Sequence, residues 1–386
     1  MNYPRFPRVS VSPNSLMNKD DMNRNDVDQN LYLSDVFSQP QALRDVLRIL
    51  DLSPLEPLAR ALRRGDFDRI VLTGMGASLY SAYPAWLYLA ASGFPTVWVE
   101  SAELLHYTPG LIGRRTLLWI VSQSGRSAEA LALLEQARRS PPASLLLTVN
   151  DLESPLARSL PEGSKSTSLT YLLALNVEPE QAPSTRSYLV SLALNQLAAL
   201  LLSGQSLEPH LSDLEQTIEG ISEYLMDWKE HLASLGKAIS DIPHIVLLGR
   251  GASLASAYTG ALMLQEVGKF PATSMSAASF RHGPMEVISP ELAVLVFAGG
   301  DQTRNLNQRL FRDLCEHGER TFWLEYLPSS EQITEPGVRI NLPRSFGIGL
   351  PLAEIVSIQL LAAHLALNAG LVPGVFLHSG KVTLEE

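Results

Sequence analysis

Two tandem α/β units, each a parallel sheet flanked by helices in an α/β/α sandwich, are what this 386-residue sequence predicts. One observation is a repeat: IVLTGMGASLYSAY at 70–83 returns as IVLLGRGASLASAY at 245–258, an offset of 175 residues, changed only at 73, 75 and 80. A copy at that distance duplicates a unit of domain size, since solenoid repeats run at roughly 20–50 residues. The other is rhythm: near-continuous apolar strands alternate with helical segments, as in parallel sheets covered on both faces. The length leaves room for two domains of roughly 150–200 residues.

The elements follow in order. Residues 35–64 read as helical, with Val46, Leu47 and Leu50 among the apolar positions. Strand IVLTG at 70–74 leads to a helix near 78–92, then strands TVWVE at 96–100 and LLWIVS at 117–122. A helix at 128–140, strand SLLLTV at 144–149 and a buried helix near 187–203 complete the first unit. A linker is expected around 204–215. The second unit brings helix 215–236, strand 244–249, helix 253–267, strand 292–299, helix 304–318 and strand 321–326. The run PLAEIVSIQLLAAHLALNAG at 351–370 reads as an amphipathic helix stopped by Gly370, with His364 a packing residue and Glu286 a surface one. The division is a polar arm at 1–34, a first domain at 35–210 and a second at 211–386.

A net charge of −10 and pI near 5.4 argue against nucleic acid or an anionic membrane as partner. An anionic small molecule is still admissible, because local donors outweigh net charge inside a pocket. The single Cys315 rules out an internal disulfide and fits a reducing cytoplasm. No CxxC, HExxH or His/Cys cluster has metal spacing, so the expectation is chemistry without metal or cofactor. The N-terminus lacks a signal-peptide core, and no uninterrupted apolar run of membrane-spanning length is expected; 188–203 is broken by Asn195 and Gln196.

SQSGRSAE at 122–129 sits where a strand turns into a helix. Ser122, Ser124 and Ser127 offer hydroxyls, Gln123 an amide, and Gly125 lets backbone N–H groups face a ligand. Such a loop holds phosphate without a lysine. One isolated serine turn is usually a helix cap. Here Ser78, after Gly76 in the duplicated turn, adds a donor from the adjacent strand end, which favours an anion site. The second half instead ends its matching strand in Gly299-Gly300-Asp301, without serines and with a carboxylate nearby.

G-x-GAS after one strand and SQSGxS after a later one resemble the sugar isomerase (SIS) domain. Two copies, the HGP at 282–284 and a C-terminal lysine look like the isomerase half of glucosamine-6-phosphate synthase, over essentially all of 40–386. The glutamine-hydrolysing half is not matched, so the resemblance implies a free-standing isomerase or deaminase of phosphosugars. The family's L-K-L-K-E run falls on LMLQE, making Glu266 the base; K-H-G-P falls on Arg281 to Pro284, giving His282. The family ending aligns over equal length and puts its lysine on Lys381. Phosphate donors fall on Ser78, Ser122, Gln123, Ser124 and Ser127, and A-S-T-K on Pro183 to Arg186, placing Ser184 near the sugar. Departures from the pattern are Ala77 for a threonine, Met263 for a lysine, and Pro271 and Thr273 for a histidine and a glutamate. Arg126 replaces the usual glutamate after SQSG, which favours a more anionic or bulkier ligand head.

These residue types suit proton transfer between C1 and C2 of an opened sugar. A carboxylate in a cleft has its pKa raised toward working pH. A histidine trades a proton with the ring oxygen near neutrality. A lysine on a closing tail polarises the C2 carbonyl or forms a Schiff base while the tail excludes water. The resemblance further implies a homodimer in which each histidine enters the partner's site. A non-catalytic phosphosugar-binding protein and a deglycase of sugar-amine phosphates remain the alternatives; the former needs the serine loop but not Glu266, His282 and Lys381.

Overall fold

The computed structural model describes residues 30–159, 169–180, 182–239, 242–317, 320–326, 337–378 and 380–385. Residues 1–29 of the expected arm lie outside them, and a helix, Leu31–Ile49, already begins within the last part of that arm. The first sheet contains β1 (Arg69–Gly74), β2 (Thr96–Glu100), β3 (Thr116–Val121), β4 (Ser144–Val149) and β5 (Leu169–Ala174), in the order β2-β1-β3-β4-β5. The second contains β6 (His244–Gly249), β7 (Ala272–Ser276), β8 (Leu292–Phe297), β9 (Thr321–Glu325) and β10 (Val338–Asn341), in the order β10-β9-β8-β6-β7. Read from the other edge, that is the same order again. All pairings are parallel, and the repeat extends to register: Ile70 pairs Thr96 as Ile245 pairs Ala272.

The central strands β3, β4 and β8 are buried at every position because both faces of their sheets are covered. On one face Ile70, Leu72, Leu117, Trp119, Ile245, Leu247 and Leu295 share a single core that joins the two halves. On the opposite faces, Val71, Leu118 and Ile120 pack in one outer cluster, and Val246, Val294 and Trp323 in another. The inner layer is made of helices Arg186–Ser203, Ser253–Glu266 and Leu350–Asn368. The two copies meet directly: Tyr83 and Tyr258, equivalent in the repeat, lie 5.9 Å apart at 79°.

Several expectations change. The helix near 78–92 is two helices, Gly76–Ser81 and Tyr83–Ala91, whereas its repeat runs unbroken from Ser253 to Glu266. Pro84 stands where the second copy has Thr259, and proline cannot supply the N–H that carries a helix through that turn. The stretch 35–64 also divides, into Leu31–Ile49 and Glu56–Arg63. The expected linker shrinks to 204–207, because Gly204 turns left-handed at φ 84° and a new helix starts at Glu208. That helix ends at Met226, and a separate one covers Trp228–Ile239.

Leu350–Asn368 is not amphipathic: Pro351 through Ala363 are all buried. The stretch Gly347–Asn368 is long and apolar enough to cross a membrane, contrary to the sequence expectation, but most of it is core. Strands β5, β7 and β10 escaped the sequence reading; β7 (ATSMS) and β10 (VRIN) carry no continuous apolar run. His364 packs as expected, with Asn368 Nδ2 2.8 Å from its Nε2. Glu286 is exposed.

Candidate active site

Strand order reverses between β1 and β3, and the loops leaving their C-terminal ends diverge there. Open parallel sheets bind ligands in such crevices. A cavity of about 290 Å³ opens at this point, with walls from both halves of the chain. Gly76, Ser78, Ser122, Gln123, Ser124 and Ser127 line one side; Ser184, Glu266 and Lys381 also border it. Nine of the eleven residues expected at the site therefore converge, from segments up to about 300 positions apart in sequence.

The serine loop is held open by a bend that requires glycine. Gly125 has φ 59°, and a Cβ there would stand 2.2 Å from Ser154 Oγ. The loop's N–H groups are mostly consumed inside the protein, unlike the sequence expectation. Gly125 N–H bonds Ser122 O at 3.1 Å, and Ala128 N–H bonds Thr383 O at 3.1 Å. Gln123 N–H donates to Ser78 Oγ at 3.4 Å and Arg126 N–H to Ser124 Oγ at 3.2 Å. Those two hydroxyl oxygens are acting as acceptors, so their own protons are left to donate. Ser127 occupies the N-cap of the Ala128–Arg139 helix yet makes no side-chain capping bond; its Oγ lies 3.4 Å from Ser122 Oγ. Helix capping does not explain these serines. The donors offered to an anion are hydroxyls.

Glu266 closes the Ser253–Glu266 helix, on the same face as Tyr258 and Leu262 at helical spacing. Leu262 reaches toward Gly76, whose φ of 50° lets the backbone pass 3.7 Å from that side chain at the Cβ position. Burial raises the Glu266 carboxyl above its ordinary range, and the nearby Lys269 cation pulls it partly back. Lys269, left-handed at φ 50°, donates through Nζ to the Glu266 carbonyl.

Lys381 is held by a buried anchor that the sequence did not reveal. Its Nζ donates to Glu180 O at 2.6 Å and lies 3.8 Å from the Glu180 carboxylate. That carboxylate is fully buried and accepts from Thr185 N–H (3.1 Å), Thr185 Oγ1 (3.0 Å), Ser187 N–H (3.2 Å) and Ser187 Oγ. Arg186 links the cluster to Asp35 at 2.7 Å. Burial lowers the Lys381 ammonium, with Glu180 and Asp35 opposing. The fully buried Tyr32 donates to Gln359 O at 3.2 Å, and its phenol is pushed up by burial first and then by the charges of Glu266 and Glu180. A carboxylate placed just before the donor-rich PSTRS at 183–187 was the available signal for Glu180.

Two expected residues lie elsewhere. Arg126 turns away from the cavity: its Nη2 and Nε sit 2.8 and 3.1 Å from Asp151 Oδ2, so it does not serve the ligand's anionic head in this structure. His282 is exposed on the loop after Phe280 and does not border the cavity of its own chain. In the second half, Ser253 and Ser256 repeat Ser78 and Ser81, and each donates a 2.7 Å bond to the buried Glu354. The carboxylate expected there at Asp301 is an exposed residue opening a helix. Among the described residues, no group of three or more His, Cys, Asp or Glu side chains is arranged to hold a metal ion.

The SIS domain family matches the chain at residues 66–201 and 238–368, together more than half its length. The glutamine–fructose-6-phosphate aminotransferase [isomerizing] of Thermococcus kodakarensis is 26% identical over 352 residues, covering 88% of this chain and 55% of that protein. The chain thus spans about half the length of the curated relatives it matches. The C-terminal domain of glucosamine-fructose-6-phosphate aminotransferase from Francisella tularensis superimposes with a TM-score of 0.75 at 19% identity, covering 93% of this chain and 100% of that one. Tagatose-6-phosphate ketose/aldose isomerase from Escherichia coli gives 0.73 at 21% identity, covering 90% and 97%.

Proposed function

We propose that this chain, which belongs to the SIS domain family, interconverts an aldose and a ketose phosphate by moving a proton between C1 and C2. One observation carries the reading: Ser122, Ser124 and Ser127 share a cavity with Glu266 and Lys381. In this reading the hydroxyl cup takes the phosphate and Glu266 takes the proton. Burial lifts that carboxyl toward working pH, which a base facing a weakly acidic C–H requires. Lys381, whose ammonium burial destabilises, polarises the C2 carbonyl or attacks it as the amine. The tail carbonyl of Thr383, bonded to Ala128 N–H, keeps this lysine against the cavity and limits water at the enediol stage. His282 opens the ring from a second copy of the chain across a homodimer interface, a role its exposure permits.

The same proton transfer serves a 2-amino sugar phosphate with release of ammonia, so the test scores both outcomes. Hexose and aminohexose 6-phosphates are incubated with the chain in deuterated water and followed by NMR, with ammonia assayed in parallel. Deuterium at C1 or C2 together with the isomeric sugar is expected. Binding of the esters without label uptake or conversion would overturn the enzymatic reading in favour of a phosphosugar-binding protein.

A further inference from the structure

Three segments far apart in sequence meet behind Lys381. The Leu31–Ile49 helix brings Asp35, the start of the Arg186–Ser203 helix and the turn before it bring Arg186 and Glu180, and the tail brings the lysine. Two carboxylates thus face two cations. The side chains of Asp35, Glu180, Arg186 and Lys381 are 11%, 0%, 17% and 20% exposed, so water screens their charges only weakly.

The cations are divided unevenly between the carboxylates. Arg186 Nη2 sits 2.7 Å from Asp35 Oδ1, whereas its Nε stops 3.9 Å from Glu180 Oε1 and is buried without a hydrogen-bond partner. An advance of about 1 Å would pair that N–H with Glu180. Lys381 approaches the other oxygen, with Nζ 3.8 Å from Glu180 Oε2, and donates to the Glu180 carbonyl at 2.6 Å. One carboxylate charge stands between two cations, and Asp35 draws the arginine off. Burial lowers the Lys381 ammonium; Glu180 opposes this, Asp35 does so less, and Arg186 adds to it. Burial raises the Asp35 carboxyl to about 6 while Arg186 pulls it down, so Asp35 carries its charge above that pH. Glu266 and Glu129 border the same cavity from other helices, and Tyr32 shares the helix of Asp35.

We propose that Asp35 is a positioning residue for Lys381: by holding the Arg186 guanidinium off Glu180, it reserves that carboxylate for the lysine and keeps the ammonium at the cavity. The part Lys381 plays in the reaction rests on the function proposed above; the division of charge does not.

Carbon-13 NMR of the full chain labelled in its lysines, titrated with pH, reads the Lys381 ammonium directly, and Lys381→Arg assigns its signal. In Asp35→Asn the guanidinium is released to Glu180, and the Lys381 midpoint is expected to fall by about one pH unit or more. Turnover of the phosphosugar is expected to show kcat down about 10- to 100-fold with KM within about 3-fold. Asp35→Glu keeps the charge and is expected to hold the midpoint within about 0.3 pH unit of the wild type. Asp35→Asn combined with Arg186→Met removes the competing cation as well, and is expected to return the midpoint to within about 0.5 unit and most of the lost kcat. A midpoint in Asp35→Asn within about 0.3 unit of the wild type overturns the inference, because Asp35 then only neutralises a buried arginine. So does a double variant whose midpoint stays as low as that of the single one. The double variant leaves neither member of the pair as a lone buried charge, so it decides the question where Asp35→Asn fails to fold: a midpoint about one unit below the wild type overturns the inference. A wild-type chain that shows these midpoints but no turnover removes the isomerase reading and leaves the division of charge standing.

Discussion

Ser78 and Ser253 occupy the same position in two copies of one fourteen-residue segment, at the same end of equivalent strands. Ser78 borders an open cavity and accepts from Gln123 N–H, which leaves its proton available. Ser253 and its neighbour Ser256 have spent theirs on Glu354, a carboxylate 101 and 98 residues away. The second copy's serines face a carboxylate of the chain itself, whereas the first copy's serine faces an open cavity. Helix continuity separates the copies as well. Pro84 breaks the first, while the unbroken second carries Glu266 across to the first copy's site. The two copies keep the same strand order and differ in helix continuity and in what their serines bond.

The sharpest way to break this comparison is to make the copies alike. Thr259→Pro, which imports the first copy's break into a buried helix, is expected to cost about 3 kcal/mol or more and to abolish activity. The reciprocal Pro84→Thr is expected to change stability by less than about 1 kcal/mol, since that helix is already divided. Urea titration of both variants checks the pair. Equal effects would mean that the break has no structural meaning.

Glu354 gives a pH test of the closed copy. Burial pushes its carboxyl from 4.5 to about 7, against the two serine bonds that favour its charge. The fold therefore binds a proton that the unfolded chain has released between those values. Its contribution is fully present below pH 4.5 and is lost as pH rises through about 7, on the order of 3 kcal/mol in all. Glu354→Gln is expected to flatten that decline, as read from denaturation midpoints between pH 4.5 and 8. An unchanged slope would remove Glu354 as its source.

A smaller effect, on binding alone, separates the serines. Replacing Ser122 and Ser124 together with Ala removes two hydroxyl donors to an anion, worth about 1.5 kcal/mol each or somewhat less in a solvated cup, so KM is expected to rise about 30- to 100-fold. Ser253→Ala is expected to leave KM within about 2-fold and to lower stability instead, by roughly 1–3 kcal/mol, because it strips a donor from a buried carboxylate. Steady-state kinetics beside thermal melts distinguishes the two patterns.

The duplicated strand and turn and the serine loop were legible from local pattern, and both emerge in the structure. The placing of Glu266 and Lys381 beside that loop came from the family resemblance, and both border the same cavity. Strands buried on both faces announced themselves as apolar runs such as LLWIV and LAVLVF, whereas β7, ATSMS, did not. The break at Pro84 was passed over, because the helical pattern continues on both sides of it. The remainder depended on contacts that no local pattern encodes. Glu180 meets Lys381 across 201 residues, and Arg126 is spent on Asp151. The Leu350–Asn368 helix, which reads as amphipathic, in fact buries Glu354 and Gln359 in the core.

The most direct test of the division of labour is Glu266→Gln, assayed twice: by binding of the phosphosugar and by exchange of its C1/C2 proton with deuterated solvent. If the first copy grips the phosphate and the second supplies the base, affinity stays within about 3-fold while exchange falls by about 10³-fold or more. Exchange at the wild-type rate, or loss of binding in proportion to loss of exchange, would contradict it.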